Sequence, residues 1–170
     1  MAGARAALVA LLMAGAVTAC SPGPEQVLAV ESLDGTSARL LTMTCEEFSP
    51  DGFDVYRSGL PDGEPLRMWA VSRDFTGPVV SSARVFQEPP GWNTYKSGIS
   101  SFEPDGTYVA SVDGGVHGKG VTGEVEFSAG QLKELAVGEV LTADGAGGTV
   151  TMGRDDFLEG ANNRCDALAS

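Results

Sequence analysis

Clusters of proline, glycine and aspartate divide this chain into short pieces, and no other feature restricts its fold as much. They fall at Leu33-Asp34-Gly35, Ser49-Pro50-Asp51-Gly52, Pro61-Asp62-Gly63, Thr76-Gly77-Pro78, Glu88-Pro89-Pro90-Gly91, Glu103-Pro104-Asp105-Gly106 and Asp144-Gly145-Ala146-Gly147. Proline presets the backbone for the first central position of a turn and glycine supplies positive φ, so the punctuation has a physical basis. Between the clusters lie short runs of β type: Val27 to Val30, Ala38 to Thr44, Asp54 to Arg57, Leu66 to Ser72, Val79 to Phe86, Asn93 to Ser97, Thr107 to Val112, Gly123 to Phe127, Leu132 to Val137 and Gly148 to Met152. Many short strands at regular spacing predict an all-β fold, a sandwich or a partly open barrel.

Alternation supports the strands in places. Tyr108, Ala110 and Val112 fall on one face and Thr107, Val109 and Ser111 on the other, while Glu124-Val125-Glu126-Phe127 has the same period with a charged outer face. The run Ala38 to Phe48 is ambiguous, because Leu40, Leu41, Cys45 and Phe48 also fit a helical period; it is read as a strand. The tail differs. Asp155-Asp156 stand where a helix N-terminus favours negative charge, and Phe157, Ala161, Cys165 and Leu168 recur at helical spacing. A short C-terminal helix is therefore expected, weakened by Gly160, Asn162 and Asn163.

The N-terminus starts with a charge at Arg5, continues through the apolar stretch Ala6 to Ala16, and ends in small residues before Cys20. The apolar run is too short for a spanning helix, which needs about 20 such residues, and it reads as a signal peptide. Val17-Thr18-Ala19-Cys20 resembles a bacterial lipobox, in which the cysteine thiol takes a diacylglyceryl group before cleavage on its N-terminal side. The alternative is an ordinary A-x-A secretory signal followed by a chance cysteine, which would leave a freely secreted protein. Cysteine, cleavage spacing and the Ser21-Pro22-Gly23-Pro24 tether coincide, which favours the lipoprotein. The expected organisation is a signal peptide at 1–19, a lipidated Cys20 with its tether at 20–26, and a single β-rich domain at 27–170. Such a chain is held on the extracytoplasmic face of the cell membrane by lipid on Cys20, since two or more acyl chains suffice for stable anchoring.

Removing residues 1–19 from the 170 leaves 151, the length of one ordinary domain. Arg5 leaves with them, so 10 basic side chains face 23 acidic ones, for a formal charge of −13. Nucleic-acid binding, which needs lysine and arginine to neutralise phosphates, is excluded. The same charge keeps the body from lying flat on anionic headgroups. With Cys20 acylated, Cys45 and Cys165 are an even pair in a compartment that permits disulfides, and a bridge between them is expected.

Little in the sequence carries chemistry. His117 is the single histidine and sits in the glycine run Gly114 to Gly120, with no G-x-S-x-G elbow to place a nucleophile beside it; an exposed residue in a flexible glycine turn is expected. That run also lacks the G-x-x-x-x-G-K-[ST] order of a phosphate loop. Glu46-Glu47 and Asp155-Asp156 could suggest glycoside hydrolysis, but adjacent residues on a strand point to opposite faces. Neither a calcium loop nor a zinc spacing is present, so no metal and no cofactor is expected. Among Phe53, Tyr56, Trp69, Trp92 and Tyr95, Trp69 lies mid-strand and reads as core. Trp92, after Pro89-Pro90-Gly91, is either a pocket-rim aromatic or a loop tryptophan covering the core, and with Tyr95 it forms the expected binding surface.

Met68-Trp69-Ala70-Val71, Thr76-Gly77-Pro78-Val79, Trp92-Asn93-Thr94-Tyr95 and Asp105-Gly106-Thr107-Tyr108-Val109 follow in an order that resembles the small lipoprotein antigen family of actinobacteria. The likeness runs from Leu66 to Gly118, and the chain departs from it by a further segment from Leu132 onward and a helical tail around Cys165. It implies surface exposure, immune recognition and a β-rich fold without established enzyme activity. The functional expectation is a non-enzymatic binding or envelope-associated module with an envelope or protein partner. A carrier of a lipid or other apolar ligand in a β-cavity is the alternative, and a carboxylate hydrolase the third.

Overall fold

A computed structural model describes residues 26–43, 48–61 and 63–160. Among the described residues ten strands form two five-stranded antiparallel sheets that do not close into a barrel. The strands are β1 (Leu28–Ser32), β2 (Ala38–Thr42), β3 (Phe48–Ser58), β4 (Leu66–Arg73), β5 (Ser82–Arg84), β6 (Trp92–Ser97), β7 (Thr107–Val116), β8 (Lys119–Ser128), β9 (Glu139–Ala143) and β10 (Thr149–Gly153). Helix α1 (Ala129–Glu134) links β8 to β9, and α2 covers residues 154–160. The first sheet has the order β10-β9-β1-β2-β5 and the second β6-β4-β3-β7-β8. The expected all-β class with a short C-terminal helix is what the chain adopts, in its sandwich form.

The core between the sheets is built by period-2 alternation. Leu28, Val30 and Leu40 from the first sheet meet Phe53, Val55, Trp69, Val71, Tyr108, Ala110, Val112, Val125 and Phe127 from the second, all nearly free of solvent contact. Trp92 joins them, stacked on Phe53 at 5.4 Å with its Nε1–H donating to the Pro78 carbonyl at 3.0 Å. A smaller core lies on the opposite face of the first sheet. There Phe157 of α2 is buried against Ala29, Leu41 and Val140, and Glu31 is held between Arg39 at 3.2 Å and Arg154 at 3.4 Å.

Several sequence expectations are corrected. Ser49-Pro50-Asp51-Gly52 is no turn; it lies inside β3, where the register against β7 slips between Pro50 and Gly52. A bulge of this kind absorbs a proline that a regular ladder would reject. Leu132 to Val137 is no strand. Ser128 caps α1, its hydroxyl accepting from Gln131 N at 3.1 Å while the Gln131 side chain accepts from Ser128 N at 2.8 Å. This S-x-x-Q capping box diverts the chain into a helical turn. Val79 to Phe86 contracts to β5, because the chain is crossing between sheets and then turns at Phe86, whose φ is 65°. The run Gly114 to Gly120 is no flexible loop. β7 and β8 pair through Val116 and Lys119, joined by the two-residue turn His117-Gly118 at φ 50° and 78°. Positive φ at both central positions marks the turn whose twist matches a hairpin. His117 is exposed there. Ala38 to Phe48 divides into β2 and the first residue of β3, with 44–47 outside the described residues.

Candidate functional site

The ends of the sandwich differ in what they offer a ligand. Val27 accepts a bond from Met43 N and Thr42 N bonds the Ser81 carbonyl, so Val27, Met43 and Ser81 share one end of the first sheet. The β1–β2 turn at Asp34–Ser37 lies at the other, about 17 Å away along the five residues of β1. At this far end an apolar cleft of about 460 Å³ opens between Asp34–Thr36, the segment carrying Phe102 and Pro104, and the α1 residues Ala129, Gly130, Leu132 and Lys133.

Each wall has a local cause. Asp34 builds the turn with its own carboxylate, which accepts from Thr36 N at 2.9 Å, Ser37 N at 2.7 Å and both neighbouring hydroxyls at 2.9 Å. The backbone bond from Thr36, then the hydroxyl and Ser37 bonds, hold its pKa down at about 2. The second wall is held through Tyr108, whose hydroxyl accepts from Glu103 N at 2.6 Å and lies where a side chain at residue 106 would be, so Gly106 is required. α1 is fixed by its cap and by Ala129 N bonding the Gly106 carbonyl at 3.0 Å.

Phe102 lies beneath, in ring contact with Phe86 at 5.1 Å, Tyr108 at 4.8 Å and Phe127 at 5.5 Å. Phe86 keeps its positive φ within this cluster. A non-glycine residue there costs about 1–3 kcal/mol and persists only where its surroundings hold it. A second cleft of about 350 Å³, lined by Thr36, Arg84, Phe86 and Ser100, adjoins the first.

The outer face of the second sheet is polar. Asp54 lies there beside Arg67 at 3.1 Å, and Arg67 also bonds the Tyr56 hydroxyl. Burial pushes the Asp54 carboxyl up, with Arg67 opposing. Asp113 also acts on this carboxyl, and among the described residues no cluster of histidine, cysteine and carboxylates could hold a metal.

The expected site residues scatter. Trp92 covers the core, only 3 % exposed, because its indole caps Phe53; it is not a surface residue. Tyr95 is exposed and pairs its hydroxyl with Ser72. Asp155 and Asp156 lie exposed on the first turn of α2. Cys20, Cys45, Cys165 and the pair Glu46-Glu47 lie outside the described residues. Sequence reasoning missed the cleft itself. Its one legible sign was the Ser128–Gln131 capping box, since Phe86 and Phe102 meet only in the folded chain. Among the described residues no helix is long and apolar enough to cross a membrane. Compared with known proteins, the chain matches no family model, no curated protein and no solved structure.

Proposed function

We propose that this chain is a lipoprotein anchored through Cys20 on the extracytoplasmic face of a membrane, where its β-sandwich acts as a non-enzymatic binding module. The supporting observation is the position of the apolar cleft, at the end of β1 opposite the one where Gln26 joins the domain. Anchored through the N-terminal tether, the domain holds this cleft outward, toward the envelope. The occupant it suits is an apolar or aromatic group of a partner, seated on Phe102 and Ala129 between Asp34 and Lys133. The carrier reading has less support, because Trp69, Phe53, Tyr108 and Phe127 occupy the layer between the sheets and the clefts lie outside it.

A neutral apolar dye, N-phenyl-1-naphthylamine, tests the cleft. Saturable binding at one site is expected, and Gly130→Trp is expected to abolish it: Gly130 lines the cleft and has room for a side chain, its nearest neighbour being Ser128 Oγ at 3.6 Å. Unaltered dye binding by this variant, or none by the wild type, rejects the cleft. The anchor is tested by acyl labelling, which Cys20→Ala is expected to eliminate.

A further inference from the structure

Phe75 is 99 % exposed, a complete aromatic ring in water. Apolar surface gains by leaving water, so a fully exposed ring forgoes that gain unless something covers it. The ring is also held out on a rigid support. Asp74 closes the turn under it, its carboxylate accepting from Phe75 N at 2.8 Å and its carbonyl from Gly77 N at 2.8 Å. Behind the turn, Arg73 is tied to Ser49 Oγ at 2.9 Å and Asp51 at 2.6 Å. The Pro78 carbonyl takes the Trp92 indole bond, and Gly77 lies so close to the Gly91 carbonyl that no side chain fits between them. Four residues beyond Phe75, Val79 is 53 % exposed.

The position of this turn identifies its counterpart. The chain from Phe75 returns to Ser81, which bonds Thr42 beside Met43 and Val27, at the end of the sandwich where the domain begins. Cys20 stands six peptide steps before Gln26, a reach of at most about 20 Å. We infer that Phe75, with Val79 beside it, dips into the headgroup boundary of the membrane that holds the lipid on Cys20, and so sets the domain end-on with its cleft outward. This rests on the lipoprotein reading. The surface it fits is zwitterionic, because Asp51 is neutralised by Arg73 and the exposed Asp74 next to the ring repels anionic headgroups.

The full acylated chain carrying Phe75→Trp, reconstituted in phosphatidylcholine vesicles, provides the test. Trp69 and Trp92 are 1 % and 3 % exposed and supply a constant background. Val137→Trp is the control, replacing a fully exposed residue in the turn before Glu139, at the cleft end. In the Phe75→Trp chain the introduced indole is expected to shift its emission to the blue, to be quenched by lipid brominated near the headgroup, and to lose several-fold in acrylamide accessibility. In the Val137→Trp chain it is expected to stay in water. Equal acrylamide accessibility of the two indoles on acylated chains overturns the inference and leaves the anchor standing, with Phe75 then awaiting a protein partner. Absence of an acyl group, read by the mass of the mature N-terminal peptide, overturns both.

Discussion

The two sheets are equal in strand number and unlike in what covers their outer faces. In the second sheet β8 alternates strictly, with Val121, Gly123, Val125 and Phe127 inward and Thr122, Glu124 and Glu126 in water. In the first, β1 buries Leu28, Ala29, Val30 and Glu31 alike and β9 buries Val140 to Ala143 without a break, because α2 lies over the far side with Phe157 as its plug. One sheet is stabilised by one core and the other by two. A strand's pattern therefore reports how many of its faces are covered as well as its conformation.

The comparison is sharpened most by the bridge expected between Cys45 and Cys165. Cys45 follows β2 of the first sheet and Cys165 follows α2 in sequence, so a bond between them would fasten the cover to the sheet. Its reduction is expected to cost about 4 to 5 kcal/mol by the loop-closure argument. Peptide mapping without reductant should recover the two cysteines in one species, and two free thiols would break this part of the contrast. Next in size is Phe157→Ala, which empties the second core; a loss of about 3–5 kcal/mol is expected in urea unfolding. A loss under about 1 kcal/mol would mean that the outer face needs no cover.

Acid separates the sheets through two aspartates shifted in opposite directions. Asp34, on the first sheet's turn, has a folded pKa of about 2 against an ordinary 3.8. Its stabilising contribution is complete above the ordinary value and is lost as pH falls from there through about 2. Asp54, on the open face of the second sheet, is raised by burial, so its charge costs stability above its folded pKa and the cost disappears on acidification through that value. Carboxyl NMR titration should find the Asp34 midpoint below 3.8 and the Asp54 midpoint above it; the reverse order would reject both environments. The smallest effect is expected for Glu124→Ala on the open face of β8, within about 0.5 kcal/mol, measured by the same unfolding experiment as Phe157→Ala.

The same difference explains which elements could be read early. Glu124 to Phe127 alternates because one side meets water, whereas Tyr108 to Val112 alternates in residue type although Ser111 is itself buried, and both runs lie within observed strands. Glu139–Ala143 shows no period because both its sides are buried, so it carries no strand signal, while the apolar residues of Leu132 to Val137 imitate one although Leu132 lies in α1. The cleft was less legible still. Its Phe102 is held by ring contacts with Phe86 and Phe127, which no local pattern links.

The sequence by itself determined the β class, through turn residues whose backbone preferences act locally, and the inward faces of the strands exposed on one side, through a period that solvent imposes. It also carried the Val17-Thr18-Ala19-Cys20 run that resembles a lipobox and on which the proposed anchor rests, a pattern that depends on no fold. Only the tertiary structure decided that Trp92 caps the core, that α2 seals the first sheet, and that Phe75 and the apolar cleft stand at opposite ends. Those outcomes depend on contacts between residues distant in the chain, whose energies exist only once the sheets have packed.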